Sequence, residues 1–395
     1  MSDAEPLLAV EDLRTVFHTE REEIHAVDGI SFEIDAGETV GLVGESGSGK
    51  SVTARSILGL VDRPGRIEEG SIRFRGEDLT DDNWERHRGD VAIVFQDPGS
   101  ALNPVYTVGN QIREALKIHQ DLRGREARER AVELLEDAGI PDAATRVDEY
   151  PHQLSGGMQQ RAVIAMALAC DPDLLVCDEP TTALDVTIQA QILDLLDDLQ
   201  REEDLAILLI THDMGVIEDA ADRVNVIYAG EVVERAPTAA LFDDPKHPYT
   251  EALLRSIPGR TPPDEQLPTI EGEVPTPTGP ASDCRFAARC PEAFGACWEV
   301  HPEHEDVGEA GVDRTAACLL HDDRYPDETD LDGDPVRRDR PDDDGVGPGG
   351  RTNANTRQGS TDRSGTRVGD SSGSAGFGGG SGGDVDDAGG GGGEV

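Results

Sequence analysis

One stretch restricts the possible folds more than any other: Gly44-Glu45-Ser46-Gly47-Ser48-Gly49-Lys50-Ser51. It follows the strand-like run ETVGLVG and precedes the helical pattern SVTARSILGLV. Glycines at this spacing let consecutive backbone N–H groups turn toward phosphate oxygens at a helix N-terminus. We expect Lys50 to reach the β- and γ-phosphates and Ser51 to ligate Mg²⁺. A merely flexible Gly/Ser turn would not need the Lys-Ser pair, so the stretch predicts a nucleotide site.

Three further strand-like runs end in polar residues. Gln96 ends VAIVFQD, Asp178 and Glu179 end DLLVCDEP, and His212 follows LAILLI. Residues 7–43 read as an antiparallel edge, and helical patterns separate the later runs. This alternation predicts an α/β fold with a largely parallel sheet covered on both faces. Because ligands bind at the carboxyl ends of parallel strands, these side chains and the glycine-rich loop should form one site.

The carboxylates suit ATP hydrolysis. Adjacent Asp and Glu residues are common in a chain this acidic, but here they directly follow four apolar residues. We expect Asp178 to hold Mg²⁺ through water and Glu179 to orient or deprotonate the water that attacks the γ-phosphate. We expect His212 to contact the γ-phosphate, because it lies at a neighbouring strand end, although a single loop histidine is often incidental.

The charge balance argues against nucleic acid as a partner. The chain carries 81 Asp plus Glu against 35 Lys plus Arg, a net charge of -46, and its only lysines are Lys50, Lys117 and Lys246. A nucleic-acid-binding surface would be basic. From residue 321 onward there are 17 acidic and 8 basic residues, so most of the excess lies before the tail. Such acidity predicts a salt-rich cytoplasm; an acidic patch for a basic partner would not spread over the whole length.

Hydropathy gives no candidate membrane segment. No window reaches the roughly 18 consecutive apolar residues of a membrane span, and MSDAEPLLAVEDLR lacks the basic region and apolar core of a signal peptide. We therefore expect a cytoplasmic protein whose membrane association comes through other subunits.

A second glycine motif is more specific. The stretch Leu154-Ser155-Gly156-Gly157-Met158-Gln159-Gln160-Arg161 resembles the signature of ATP-binding cassettes in ABC transporters. A serine N-cap with a Gly-Gly turn would also fit these residues. It does not explain why five other cassette elements occur in the family's order: the phosphate loop, Gln96 with Asp97-Pro98, Asp178-Glu179, Thr182-Ala183-Leu184-Asp185 and His212. The resemblance implies a P-loop NTPase ABC cassette over residues 5–236, with a mixed sheet core, an antiparallel edge sheet and a helical subdomain at about 97–153.

The resemblance also implies residue roles. It places four signature residues at the γ-phosphate of ATP held by the opposite subunit: Ser155, Gly156, Gly157 and Gln159. It implies that Asp185 couples the two sites and that Gln96 senses Mg²⁺ and the transmembrane partner. It implies that Phe17 stacks on adenine, although an aromatic residue near a strand end is more often part of the core.

The partners follow from the same resemblance. Two cassettes, as a homodimer or a heterodimer, close on two ATP molecules, and hydrolysis and product release reopen them. The motion passes to two transmembrane permease subunits, and the loop from Gln96 to Pro104 is the expected docking surface for a coupling helix.

The C-terminal region narrows the family. The run DPKHPYT followed by EALLRSIP resembles the extension, here residues 237–321, of oligopeptide and dipeptide importer cassettes, which nickel importers share. The resemblance implies uptake of peptides or a similar solute at the cytoplasmic face, with an extracytoplasmic solute-binding protein. A soluble ABC ATPase of DNA repair or translation is the alternative from another class. Residues 322–395 are acidic and glycine-rich, which predicts a disordered tail.

Four cysteines lie in the extension. Cys284, Cys290, Cys297 and Cys318 are spaced C-x5-C-x6-C-x20-C. In a cytosolic protein such a set favours a metal over disulfides, but the C-x2-C pairs of zinc modules are missing. Members of the resembled family carry a comparable set that holds a 4Fe-4S cluster. The alternatives are a 4Fe-4S cluster, zinc, or no metal, with free or disulfide-bonded cysteines.

Overall fold

The computed structural model describes residues 5–80, 83–182, 184–257, 270–309 and 312–325 of the 395-residue chain. The strands are β1 Leu8–His18, β2 Glu23–Ile34, β3 Thr39–Val43, β4 Gly65–Phe74, β5 Glu77–Asp78, β6 Val91–Val94, β7 Leu174–Asp178, β8 Ala206–Thr211, β9 Arg223–Tyr228, β10 Glu231–Pro237, β11 Glu305–Asp306 and β12 Thr315–Ala316. The helices are α1 Lys50–Ile57, α2 Pro98–Ala101, α3 Val108–His119, α4 Gly124–Asp137, α5 Ala143–Arg146, α6 Gly156–Leu168, α7 Val186–Glu203, α8 Met214–Ala220, α9 Thr238–Asp243 and α10 Pro248–Arg255.

The main sheet confirms the predicted α/β core. Its eight strands lie in the order β11-β12-β10-β9-β3-β8-β7-β6. The five strands from β9 to β6 are parallel, whereas β10 and β12 run antiparallel to their neighbours. Every residue of β3, β7 and β8 is buried, as expected for central strands with both faces covered.

The two faces of this sheet are covered differently. In β7, Leu174 and Val176 point into a core shared with a second, antiparallel sheet of order β2-β1-β4-β5 and with α1. Leu175 and Cys177 point into the other core, which α3, α4 and α6 share. The alternation follows from the two-residue period of a strand. The antiparallel edge sheet is thus confirmed, and it adds β4, which the sequence did not predict.

The helical unit follows β6. Thr107 caps α3 by accepting a hydrogen bond from the backbone N–H of Asn110, and Ile112 and Leu116 of α3 are fully buried. They share one apolar core with Leu135 of α4 and with α6. The helix α6 begins just beyond residue 153, where the predicted helical subdomain ends, and packs on α3 and α4. It carries the signature motif at its N-terminus.

The C-terminal extension continues the main sheet. The strand β10 pairs with β9 on one side and with β12 on the other, and β11 pairs with β12. Glu234 of β10 is fully buried, and Arg314 donates to its Oε1 at 2.9 Å. Beyond Tyr325 the predicted tail lies outside the described residues. Within the described ranges, no helix is both long and apolar enough to cross a membrane.

Candidate active site

The phosphate loop is built around glycines that admit no side chain. Gly49 precedes α1 with φ of 108°, and a Cβ there would lie 2.4 Å from the carbonyl oxygen of Ala26. A Cβ on Gly44 would lie 2.1 Å from the carbonyl oxygen of Ile227. Both distances are far below van der Waals contact, so only glycine fits. The resulting narrow turn leads into the N-terminus of α1, where N–H groups favour phosphate.

Lys50 is folded onto this loop. Its Nζ donates to the carbonyl oxygens of Gly44 at 2.7 Å and Glu45 at 2.9 Å, and the residue is 5% exposed. Burial lowers the pKa of Lys50, while the carboxylates of Glu179, Asp178 and Glu45 act in the opposite direction. The ammonium is therefore held inside the loop, where it can neutralise phosphate charge.

Ser51 and Asp178 form the candidate Mg²⁺ site. The hydroxyl of Ser51 donates to Oδ1 of Asp178 at 3.1 Å. Burial raises the pKa of Asp178, and the hydrogen bond from Ser51 opposes that shift. A hydroxyl and a carboxylate are hard oxygen donors, which suit Mg²⁺. A bound cation would favour the charged carboxylate, so these residues fit the metal that the sequence predicts.

Three side chains of the site contact the carboxylate of Glu179. Its Oε2 accepts hydrogen bonds from Nε2 of Gln96 at 2.7 Å and from the hydroxyl of Thr182 at 3.0 Å. Nδ1 of His212 lies 3.3 Å from its Oε1. The backbone of Glu179 is left-handed, with φ of 50°, a conformation that is uncommon for non-glycine residues. The sequence analysis missed Thr182 as a partner of the carboxylate.

Most of these residues line one cleft of about 760 Å³, whereas Gly44 and Asp178 are not among the described residues of its wall. Its walls contain predicted residues: Glu45, Ser46, Gly47, Gly49, Lys50, Ser51, Gln96, Glu179 and His212. They also contain residues that were not predicted: Ala26, Val52, Thr182, Leu253, Ser256 and Ile270. The last three lie in the C-terminal extension. Sequence reasoning gave that region no part in the nucleotide site, because no motif marks it.

The arrangement suits transfer of a phosphoryl group to water. Lys50 and the loop N–H groups can hold the phosphates, and the carboxylate of Glu179 can accept a proton from a water aligned with the γ-phosphorus. The bond between the γ-phosphorus and the bridging oxygen then breaks, giving ADP and phosphate. Mg²⁺, when bound, neutralises the charge on the phosphates.

Comparison with known proteins identifies the family. The ABC transporter family matches residues 27–182, and the oligopeptide/dipeptide transporter C-terminal region matches residues 233–297. The oligopeptide transport ATP-binding protein AppD of Bacillus subtilis is 51% identical over 324 residues, covering 80% of this chain and 97% of AppD. The chain belongs to the oligopeptide/dipeptide family of ABC transporter ATP-binding proteins. Like its family, this cassette hydrolyses ATP.

Further relatives agree with that assignment. The dipeptide transport ATP-binding protein DppD of Escherichia coli is 49% identical to the cassette over 300 residues, covering 75% of this chain and 92% of DppD. Among solved structures, the dimeric post-hydrolysis state of the ATP-binding cassette MJ0796 with ADP and Pi has a TM-score of 0.53 at 30% identity, over 58% of this chain and 98% of that one.

The signature lies apart from the cleft. Ser155 caps α6 by accepting a hydrogen bond from the N–H of Met158, and a Cβ on Gly157 would lie 2.6 Å from the side chain of Ile188. The amide of Gln159 donates to two backbone carbonyls below the helix. Of the described residues, those that line the cleft include none of Ser155, Gly156, Gly157 and Gln159. Their contact with nucleotide stays a prediction.

Asp185 and Phe17 have structural partners of their own. The carboxylate of Asp185 caps α7 by accepting from the N–H groups of Thr187 and Ile188. The ring of Phe17 is half-buried and lies against the backbone of Gly65, where a Cβ would come within 2.7 Å of it. Phe17 is not among the described residues of the cleft wall. Stacking on adenine and coupling through Asp185 stay predictions.

The four cysteines of the extension come close to one another. The N–H of Cys284 donates to the carbonyl oxygen of Cys297 at 3.0 Å. Burial, with a further contribution from neighbouring thiols, raises the pKa of Cys284 and Cys290 to about 12 and that of Cys318 to about 11. Across the described ranges, no three His, Cys, Asp or Glu side chains are arranged to hold a metal ion. Protonated thiols in this arrangement are not a ligand set, and none of the four cysteines is among the described residues of the cleft wall.

Proposed function

We propose that the cassette drives import of oligopeptides or dipeptides from the cytoplasmic face of the membrane. One observation carries the proposal: the region that resembles oligopeptide/dipeptide transporters, residues 233–297, is integrated with the ATP site. Its residues Leu253, Ser256 and Ile270 line the cleft. Relatives named as oligopeptide and dipeptide transport proteins match this chain over most of their length. A nickel importer cassette is the nearest alternative, since the same extension implies either solute.

The proposal includes a second cassette. The signature residues Ser155, Gly156 and Gly157 do not line the cleft of their own chain in its described part. A partner cassette that presents its signature to this cleft would complete the site, as a homodimer or a heterodimer. The dimeric state of MJ0796 with ADP and Pi supports this arrangement.

We further propose that two permease subunits dock beside the loop from Gln96 to Pro104. Val105 and Tyr106, which directly follow this loop, are 70% and 53% exposed, an unusual degree for large apolar side chains. A groove of about 580 Å³ lies between α1 and the helical unit, and the 68%-exposed Ile118 of α3 lines it. An apolar cytoplasmic helix of a permease subunit fits this surface. Because Gln96 donates to Glu179, movement of the loop would reach the catalytic carboxylate directly.

Transport in reconstituted vesicles tests the proposal. The cassette is combined with two permease subunits and an extracytoplasmic solute-binding protein of the peptide-import family. Addition of dipeptides or tetrapeptides should stimulate ATP hydrolysis and peptide uptake, whereas Ni²⁺ should not. A matched complex with Glu179→Gln should bind ATP and show no uptake. Stimulation by Ni²⁺ alone would replace peptide by metal as the solute, and stable recovery with DNA or ribosomes in place of permeases would overturn transport.

A separate proposal concerns the four cysteines. The spacing of the cysteines and the family resemblance support a 4Fe-4S cluster, with zinc as the alternative, acting as a structural staple of the extension. Binding would have to draw the thiols together from the positions described above. Thiol ligands must lose their protons, so a bound metal would reverse the raised pKa values. Anaerobically purified protein with a cluster should absorb near 400 nm and contain stoichiometric iron and sulfide. A colourless protein with zinc, or with no metal, would contradict the cluster.

The charge of -46 supports a last proposal, that the protein works in a salt-rich cytoplasm. Salt at about 1 M shortens the screening length to about 3 Å and so weakens repulsion among surface carboxylates. The unfolding temperature should rise between about 0.2 M and about 3 M KCl. An unchanged or lower unfolding temperature would speak against the proposal.

A further inference from the structure

The segment between Cys284 and Cys290 carries two arginines that both reach the cassette. Arg285 pairs with the buried carboxylate of Asp28 and donates to the carbonyl oxygen of Ala229. Arg289 forms a two-pronged pair with Glu45 of the phosphate loop: Nη1 lies 2.9 Å from Oε1 and Nη2 lies 2.9 Å from Oε2. These two partners are 244 residues apart in the sequence. Through Arg289, the extension is thus bound directly to the phosphate loop.

Arg289 is held in place from several sides. Its side chain is 5% exposed, and its Nε donates to the carbonyl oxygen of Glu271 at 2.9 Å. The guanidinium lies 5.6 Å from the ring centroid of Tyr228 and donates to its hydroxyl at 3.3 Å. Tyr228 in turn packs edge-on against Phe286, at 5.1 Å between ring centroids. Because the planar guanidinium is already fixed by these contacts, its two Nη groups can both donate to the carboxylate of Glu45 without further ordering of the side chain.

Glu45 is fixed by the extension and by the loop together. Its backbone N–H donates to the hydroxyl of Tyr249 in α10 at 3.0 Å. Its carbonyl oxygen accepts from Nζ of Lys50 at 2.9 Å. Its carboxylate, 30% exposed, belongs to the wall of the cleft. One loop residue therefore touches the extension twice and also positions the lysine expected at the β- and γ-phosphates.

The charge of Glu45 needs a counter-charge during ATP binding. A carboxylate in the wall of the cleft repels the negative triphosphate, and this repulsion strengthens when water is excluded from the site. We propose that Arg289 is a positioning residue for ATP: it neutralises and orients Glu45, so that the C-terminal extension sets the affinity of the phosphate loop. The inference rests on ATP binding in this cleft and is independent of the transported solute.

Substitution of Arg289, with and without Glu45, tests the inference in the full-length chain. Arg289→Ala should raise the Kd for a fluorescent ATP analogue and the KM for ATP roughly tenfold, with a smaller change in kcat, because binding loses its counter-charge. Arg289→Lys keeps the charge but loses the two-pronged geometry, so its Kd should lie between those of Arg289→Ala and the wild type. The matched control is Arg324→Ala, which removes an exposed arginine that pairs with Asp322 just beyond the extension, and it should leave Kd unchanged.

The double variant distinguishes an electrostatic role of Arg289 from a merely structural one. In Glu45→Gln/Arg289→Ala the repelling carboxylate is gone, so ATP should bind more tightly than in Arg289→Ala alone. Raising KCl should likewise narrow the gap between Arg289→Ala and the wild type. A merely structural role predicts no rescue by Glu45→Gln and no effect of salt, and either result would overturn the proposal, as would an unchanged Kd in Arg289→Ala.

Misfolding of Arg289→Ala and failure of the wild type to bind the ATP analogue have different consequences for the proposal. If Arg289→Ala does not fold, as judged by circular dichroism and thermal unfolding, Arg289→Lys and Glu45→Gln/Arg289→Lys carry the same comparison, and equal Kd values in these two variants and the wild type would overturn the proposal. Failure of the wild-type chain itself to bind the ATP analogue would overturn the ATP assignment, and with it the premise of the inference.

Discussion

The phosphate loop, residues 44–51, and the cysteine-bearing segment, residues 284–318, each bring several potential ligand-binding groups together. The two regions differ in the chemical nature of those groups and in what fixes their positions. In the loop, the binding groups are backbone N–H groups fixed by Gly44 and Gly49, whose positions admit no side chain. In the segment, the groups are thiols that burial keeps protonated. A site built from backbone is formed before its ligand arrives, whereas a site built from thiols needs its ligand to remove protons and draw the sulfurs together.

The largest effect should come from the carboxylate that serves the preformed site. Glu179→Gln keeps the size and the contact with Gln96 but cannot accept a proton, so the rate of ATP hydrolysis should fall roughly 10²–10⁴-fold. ATP binding should persist, and a closed dimer should accumulate, which size-exclusion chromatography with ATP would detect. Glu251→Gln, on α10, is the matched control and should hydrolyse ATP normally. Normal hydrolysis by Glu179→Gln would remove its assigned role.

Adding one carbon to the loop should damage the site next most. In Gly44→Ala the new Cβ meets the backbone oxygen of Ile227 at 2.1 Å, so the loop must move. Strain of this kind costs about 1–3 kcal/mol, and the Kd for ATP should rise roughly tenfold or more. Gly279→Ala is the control, since a Cβ there has no heavy atom within 4 Å. Equal affinities in the two variants would show that the loop is not rigid.

The buried thiols should make the free energy of unfolding depend on pH. The pKa of Cys284 and Cys290 is raised to about 12, above the usual value of about 8.5, so the folded chain holds these protons more tightly than the unfolded chain. Stability is therefore intact below about pH 8.5 and falls as pH rises toward 12, by about 1 kcal/mol per thiol between pH 8.5 and 9.5. Urea unfolding of the wild type and of Cys290→Ser across this range measures the difference. A metal-bound protein would show no such fall until the metal is removed.

The smallest expected effect concerns the hydrogen bond from Thr182 to Glu179. Thr182→Val keeps the shape and removes the hydroxyl, a loss worth about 0.5–1.5 kcal/mol. The kcat for ATP hydrolysis should fall a few-fold, while the Kd for ATP stays close to that of the wild type. Thr238→Val is a comparable change of a buried threonine outside the cleft wall. If kcat is the same in the Thr182→Val variant and the wild type, Gln96 alone suffices to orient the carboxylate.

Sequence patterns predicted the parts of the site that depend on local order. Gln96, Asp178, Glu179 and His212 were found because each follows a strand, and parallel strands bring their carboxyl ends together. The ion pair between Glu45 and Arg289 could not be predicted from the sequence, because no local pattern connects residues 244 positions apart. Thr182 is the first residue of a motif that the sequence did identify, but no local pattern indicates that its hydroxyl reaches Glu179.

The missed strands have a physical explanation as well. In β4 the side chains of Glu68, Glu69 and Arg73 are wholly or partly exposed, so the run lacks a clean apolar alternation. The strand β12 contains only Thr315 and Ala316, too short for any pattern, and is defined by its pairing with β10. Local propensity cannot signal a strand that exists only through its neighbour.

The buried pair of Glu234 and Arg314 bears on the order in which the chain is made. Arg314 leaves the ribosome 80 residues after Glu234. Until then the nascent cassette has an open sheet edge at β10 and a carboxylate without its arginine, a state that costs several kcal/mol and invites wrong strand pairing. Synthesis of the extension therefore completes the β10 edge of the main sheet, and a chain cut at residue 236 should aggregate instead of yielding a free-standing ATPase.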